Sequence, residues 1–545
     1  MSALAVQAVG AAAEAVERHL PDLVQDAVAS RLFARDATLW GPDAESEAAI
    51  RLSWVGLHRS SRPLVGEVEA LREELRERGV RRIVLCGMGG SSLAPEVITG
   101  TAGVELVVLD SSDPDMVRSA LQEDLAGSAV VVSSKSGSTL ETDSQRRAFV
   151  HAFSEAGIDP TERIVVVTDP GSPLDEQSRA DGYRVVNADP EVGGRYSALT
   201  AFGLVPSGLA GADIGALLDE AEVVADLLAE DDEANPGLRL GAALAGTRPL
   251  RDKLLFTDAG SGIAGLADWA EQLIAESTGK QGTGVLPVVA PAGDSPTAGL
   301  GSTDDCTVVV LAPEDGDDEE VPAVEGVGSL VAVSGSLGAQ LLLWEVATAV
   351  AGRLLGINPF DQPDVESAKQ AARDIMEDGA DGAGRPDLVD DAVEIRAAGG
   401  GWLPEGVSTL EGAVDALLGE LDPGTGYLSL MVYLDRVEHA DLAEVQGDLV
   451  RRTGRPVTFG WGPRFLHSTG QYHKGGPAQG VYLQVTGAPG QDLPVPGKDY
   501  TFGEFISAQA AGDAGVLADH GRPVLRVHLT DQDQGLAQLR TVLAR

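Results

Sequence analysis

Three observations predict an α/β fold with two parallel-sheet αβα units and an appended third α/β unit. Short Val/Ile/Leu runs alternate with longer helical patterns from Arg82 to Asn187. A second alternation begins near Leu250, with strand-like runs at Lys253–Thr257 and Thr307–Leu311. Strand-like runs then resume beyond a Gly-, Asp- and Pro-rich stretch, Glu377–Asp391, that reads as a linker. Near-continuous apolar strands separated by helices mark a parallel sheet covered on both faces.

In chain order, MSALAVQAVGAAAEAVERHL reads as an amphipathic helix that opens a helical arm over residues 1–75. It lacks a basic region followed by a cleavable apolar core, so it is not read as a secretory signal. The first αβα unit is expected over 76–225, with strands near Arg82–Cys86, Val104–Asp110, Ala129–Ser133, Arg163–Thr168 and Tyr183–Asn187. The second is expected over 226–376, a linker over 377–393 and the third unit over 394–545. In the third, Tyr427–Leu434, Val481–Val485 and Val524–Leu529 have strand character. The acidic stretch Glu314–Glu320 reads as a solvated loop.

Composition narrows the function. The chain has 545 residues, 43% hydrophobic and 23% charged, which excludes a disordered or fibrous protein. No window reaches the roughly 18 consecutive apolar residues of a membrane span. Cys86 and Cys306 do not make a disulfide framework, and a cytoplasmic protein is expected. The net charge is −44, a surface that repels nucleic acid and anionic membranes. It also repels a phosphorylated metabolite at long range, so such a ligand needs a site lined with amides or local positive charge.

Two strand-to-helix turns supply such sites. The first strand runs into Cys86-Gly87-Met88-Gly89-Gly90-Ser91-Ser92-Leu93. A glycine turn opening a helix directs bare N–H groups and the helix dipole at a ligand, although such turns also occur only to let backbone pack closely. The second is sharper: strand 129–133 enters Ser134-Lys135-Ser136-Gly137-Ser138-Thr139-Leu140-Glu141-Thr142. Capping requires one hydroxyl, not five, whereas several hydroxyls with helix amides can surround a phosphate. The GxxxxGK[ST] order of a nucleotide P-loop is absent. The chain has six lysines, Lys135, Lys253, Lys280, Lys369, Lys474 and Lys498. Retaining lysine inside candidate motifs while arginine supplies nearly all other basic charge suggests a role for a compact ammonium there.

Together these segments resemble phosphoglucose isomerases, enzymes built from two sugar-isomerase (SIS) domains. The resemblance rests on Gly87–Leu93 and Ser134–Thr142, and on Gly193-Gly194-Arg195-Tyr196-Ser197, Ala275-Glu276-Ser277-Thr278-Gly279-Lys280 and Asn358-Pro359-Phe360-Asp361-Gln362 through Lys369, all in family order. It implies two flavodoxin-like domains and a hexose 6-phosphate substrate. Gly90, Ser91, Ser134, Lys135, Ser136, Ser138, Thr139, Glu141 and Gln362 would hold the substrate or its phosphate. Leu466-His467-Ser468-Thr469-Gly470-Gln471-Tyr472 resembles the family's histidine segment, although it lies after Lys369. That arrangement resembles the isomerase half of transaldolase–phosphoglucose isomerase fusions, without a separate transaldolase half.

The implied chemistry moves a proton between C2 and C1 through an enediol. Glu276 is assigned as the base, because a partly desolvated carboxylate can take and return a proton. Arg195 would stabilise the enediolate. His467 would open the ring, with His473 as a second candidate. Lys369 would assist ring opening or hold substrate. Glu141 is read as orienting the phosphate loop or as a first-turn acid favoured by the helix dipole. No cofactor is expected for a redox-neutral reaction, and no Cys or His has metal-ligand spacing. In relatives the histidine often comes from a partner subunit, so a homodimer is one expectation. The third unit supplies His467 in cis or from a second chain. Alternatives are a dual phosphoglucose/phosphomannose isomerase and a non-catalytic SIS sugar-phosphate sensor.

Overall fold

In the computed structural model, the described residues are 4–290, 300, 303–314, 327–378 and 384–545. Residues 315–320 of the acidic stretch and 379–383 of the expected linker lie outside them.

The strands are β1 (Leu4–Gly10), β2 (Arg82–Gly87), β3 (Val107–Leu109), β4 (Ser128–Ser133), β5 (Ile164–Thr168), β6 (Arg184–Asn187), β7 (Lys253–Asp258) and β8 (Leu286–Val289). They continue with β9 (Cys306–Leu311), β10 (Ser329–Gly335), β11 (Leu388–Asp390), β12 (Val393–Ala398), β13 (Tyr427–Tyr433), β14 (Val457–Trp461), β15 (Gly480–Gly487) and β16 (Val524–Leu529). They form three sheets, ordered β3-β2-β4-β5-β6, β1-β10-β9-β7-β8 and β11-β12-β16-β15-β13-β14. The first sheet is parallel throughout. In the second, only β1 runs antiparallel, along β10. The third is parallel from β16 to β14 and antiparallel at β11 and β12.

The N-terminus corrects the expected helical arm. Leu4–Gly10 is an edge strand, in register from Leu4 opposite Gly335 to Gly10 opposite Ser329. A short Ala/Val-rich segment satisfies helix and strand patterns alike. Here the unpaired edge of β10 decides, and Leu4 and Val6 are buried against the core. The helix begins only at Ala11. The expected linker is likewise partly structured, because Leu388–Asp390 pairs with β12.

Successive side chains of a strand face opposite sides, and this places three cores. Leu254 and Phe256 of β7, with Val309 and Leu311 of β9, face a core shared with one side of the first sheet, including Ile83, Leu85 and Val131. Leu255, Val308 and Val310 face the other way, into a hydrophobic cluster that continues into the third unit with Leu430, Leu483 and Val485. The second sheet meets the third unit where β8 packs beside β14. On the outer side of the first sheet, Val84, Cys86, Val130 and Val132 pack with Phe149 and with Val495 and Phe502 of the third unit.

Candidate active site

The order of the first sheet reverses between β2 and β4. In a doubly wound sheet the crevice beyond the strand ends at such a switch point is where ligands bind. Both motifs lie there: β2 runs into the turn Gly89–Ser91 and the helix Leu93–Ala102, and β4 into Ser134–Thr139 and the helix Leu140–Glu155. Gly90 is placed by close packing, since a Cβ there would lie 2.0 Å from the carbonyl oxygen of Gly194, in the turn that carries Arg195. Ser91 is buried in the same turn.

In the hydroxyl loop, Ser134 Oγ lies 3.0 Å from Thr139 Oγ1 and accepts the Gly137 N–H at 3.2 Å. Ser136 Oγ and Ser138 Oγ are 2.9 Å apart. Thr139 sits at the N-cap of Leu140–Glu155, yet its side chain makes no capping bond. The loop's hydroxyls are thus turned to each other at a helix N-terminus that favours an anion. Lys135 does not join them. Its ammonium donates to Asp169 at 2.6 Å, and burial lowers its proton affinity despite that partner.

A second cluster forms around Arg195, whose side chain is 2% exposed. Its Nε donates to Ser277 Oγ at 2.7 Å, its Nη1 to Gln362 Oε1 at 2.7 Å, and its Nη2 to the carbonyls of Pro359 (2.7 Å) and Asp361 (3.0 Å). Nη1 also pairs with Glu276 Oε1 at 3.4 Å. Glu276 lies on the helix Leu266–Thr278 and is buried.

The third unit contributes His467, in the turn Arg464–His467 that follows β14. Its Nε2 lies 3.0 Å from Glu141 Oε1 of the helix after the hydroxyl loop, within one chain. Burial pushes the Glu141 carboxyl up. The His467 hydrogen bond and charge, with Lys369 beyond, outweigh it and hold Glu141 below the usual carboxylate range. His473 is elsewhere: it is buried in the third unit between Tyr427 Oη (2.9 Å) and Ser429 Oγ (3.3 Å), and burial pushes its pKa well down.

A cavity of about 250 Å³ is lined by Ser136, Ser138, Thr139, Glu141, Lys369 and His467, among others. The Arg195–Glu276–Gln362 cluster adjoins it through Gln272, whose Nε2 donates to Glu276 Oε2 at 3.2 Å and to the His467 carbonyl at 2.6 Å. Gln272 was not singled out from sequence, although it stands one helical turn before Glu276, and that spacing places two side chains together. Its Oε1 is buried without a hydrogen-bond partner among the described residues, so it can accept from a ligand hydroxyl. Gln509, which donates to Glu141 Oε1 at 2.8 Å from the helix Phe502–Asp519, carried no sequence signal. Among the described residues, no group of three or more His, Cys, Asp or Glu is set to hold a metal ion. No described helix is long and apolar enough to cross a membrane.

No family model matches the chain. It is 31% identical over 373 residues to the glucose-6-phosphate isomerase of Rubrobacter xylanophilus, a match covering 55% of this chain and 83% of that one. It is 29% identical over 427 residues to a probable glucose-6-phosphate isomerase of Natronomonas pharaonis, covering 69% of this chain and 94% of that one. Among solved structures, a hypothetical protein of Thermus thermophilus aligns with a TM-score of 0.57 at 27% identity, over 68% of this chain and 100% of that one. By fold and cleft, the chain falls among the α/β sugar isomerases. It belongs to the glucose-6-phosphate isomerase family.

Proposed function

We propose that this chain interconverts glucose 6-phosphate and fructose 6-phosphate, as a cytoplasmic enzyme of glycolysis and gluconeogenesis. The observation that carries the reading is the junction at Gln272. Its amide touches both the Glu276 carboxylate and the backbone of His467, and so links the two clusters.

Ser134, Ser136, Ser138 and Thr139, with the first amides of Leu140–Glu155, hold the phosphate. His467 moves the proton between the C1 hydroxyl and the ring oxygen as the ring opens. Glu141 holds the imidazole in place. Lys369, on the cavity wall, contacts the sugar during that step. In the open aldose, Glu276 takes the proton from C2, leaving an enediolate; the hydroxyl proton passes from O2 to O1, and Glu276 returns its proton to C1 to give the ketose. Positioned proton transfer of this kind contributes about 10²–10⁴-fold. The Arg195 guanidinium, permanently charged, faces the negative charge that develops on the oxygens.

A coupled assay that starts from fructose 6-phosphate tests the reading. Turnover with incorporation of solvent hydrogen at C2 is expected. Sugar-phosphate binding by well-folded protein without turnover points instead to a sensor.

A further inference from the structure

Lys280 belongs to no step described above, yet it is buried in the protein interior beside the second cluster. Its side chain is 1% exposed. An ammonium has three N–H donors, and here each has an acceptor: the Asn358 carbonyl at 2.8 Å, Asp361 Oδ1 at 2.7 Å and the Asp361 carbonyl. The Asp361 carbonyl also accepts from Arg195 Nη2. The irregular segment Asn358–Gln362 thus points three carbonyls, those of Asn358, Pro359 and Asp361, at two neighbouring cations. Gln362, the next residue, bonds Arg195 Nη1, the nitrogen that also faces Glu276.

We infer that Lys280 is a positioning residue for the isomerisation: it clamps Asn358–Gln362 against Arg195 and so sets where the guanidinium and Gln362 stand relative to the Glu276 carboxylate. The inference rests on the isomerase reading and deepens it. Burying a lysine is costly unless every donor is met. A plain structural anchor could be built from a neutral donor, whereas a cation placed beside another cation also acts on the charge balance of the site.

The clamp depends on protonation. Burial lowers the Lys280 pKa to about 8, and the nearby Arg195 charge adds to this, against Asp361 and Glu276, which raise it. Among the described residues, Arg195, Asp361 and Glu276 are the charged groups with the largest influence on it. Above that pH a neutral amine has two donors for three acceptors, and the segment loosens. An alkaline fall in kcat/KM near pH 8 is therefore expected.

Two substitutions move that fall in opposite directions. In Lys280→Arg the charge is permanent, and the alkaline limb shifts up by at least one pH unit. In Asp361→Asn the acidic partner is gone, and the limb shifts down by about half a unit or more. Lys280→Met lowers kcat/KM about 10-fold or more at pH 7, with the loss mainly in kcat; if it fails to fold, the Asp361→Asn profile carries the test. A limb at the wild-type position in both folded variants overturns the inference. Absence of any isomerase turnover in the wild type overturns the functional reading instead, so the two failures are distinguishable.

Discussion

His467 Nε2 and Glu141 Oε1 lie 3.0 Å apart although 326 positions separate the two residues in the chain. The contact joins the third unit to the helix that begins at the hydroxyl loop, and Gln509 adds a second donor to the same oxygen at 2.8 Å. A carboxylate on one imidazole nitrogen leaves the other free for a sugar oxygen. His467→Ala is expected to lower kcat for the ring-closed sugar by about 10²-fold or more. Glu141→Gln should fall between that variant and wild type. Steady-state kinetics with matched circular dichroism spectra would decide, and equal rates in all three proteins would remove ring opening from this dyad.

Glu276 offers a cleaner separation of chemistry from folding. Glu276→Gln keeps the size and one acceptor for Arg195 but cannot ferry a proton. Its kcat should drop about 10²–10⁴-fold, with Tm within a few degrees of wild type. Exchange of the C2 hydrogen with solvent should vanish in parallel. Persistent exchange would assign the base elsewhere.

Acid stability is set in part where the third unit docks on the first. Asp110, fully buried, accepts from Arg436 Nε at 3.1 Å and Arg464 Nη1 at 2.9 Å, and Glu96 pairs with both arginines. Burial works to raise Glu96, but the charges and hydrogen bonds of Arg464 and Arg436 prevail and hold it at about 2, against an ordinary 4.5. A carboxylate depressed in the folded state contributes stability that is whole above its ordinary pKa and lost as pH falls through its folded one. Melting temperature should therefore decline between about pH 4.5 and 2, and Glu96→Gln should flatten that part of the profile. Asp110→Ala, which strips a buried partner from two arginines, is expected to cost about 3 kcal/mol at neutral pH, measurable by urea unfolding.

The second sheet's outer face predicts the effect of truncation. Leu255, Val308 and Val310 belong to a hydrophobic cluster that continues into the third unit through Leu430 and Leu483. A chain ending at residue 378 would bare that face, and exposed apolar patches of this kind drive association. It should bind an apolar fluorescent dye and aggregate on size-exclusion chromatography. A monodisperse product without dye binding would show that the third unit is dispensable for folding.

Most strands of the first sheet were legible because both faces are buried: Val130, Val131 and Val132 leave no doubt about period or burial. β1 was not, since LAVQAVG becomes a strand only by pairing with β10, from which more than 300 residues of chain separate it. In the cleft, the hydroxyl loop stood out as a residue pattern, and Arg195, Glu276 and His467 through the resemblance of their segments to phosphoglucose isomerases. Their partners did not. Glu141 reads from sequence as orienting the phosphate loop or as a first-turn acid, but its partner His467 approaches from another unit, and Gln509 comes from another helix altogether. Lys135 drew notice for standing among hydroxyls, but Asp169 takes its ammonium. Lysine scarcity proved informative in a different sense: Lys253 and Lys280 are both wholly buried and paired with acids.

The delivery of His467 by its own polypeptide bears on behaviour at low enzyme concentration. Turnover per molecule that stays level as stock solutions are diluted from micromolar to nanomolar is the expected outcome of a His467–Glu141 contact made within one chain, and a fall on dilution would point to a group contributed by a second chain.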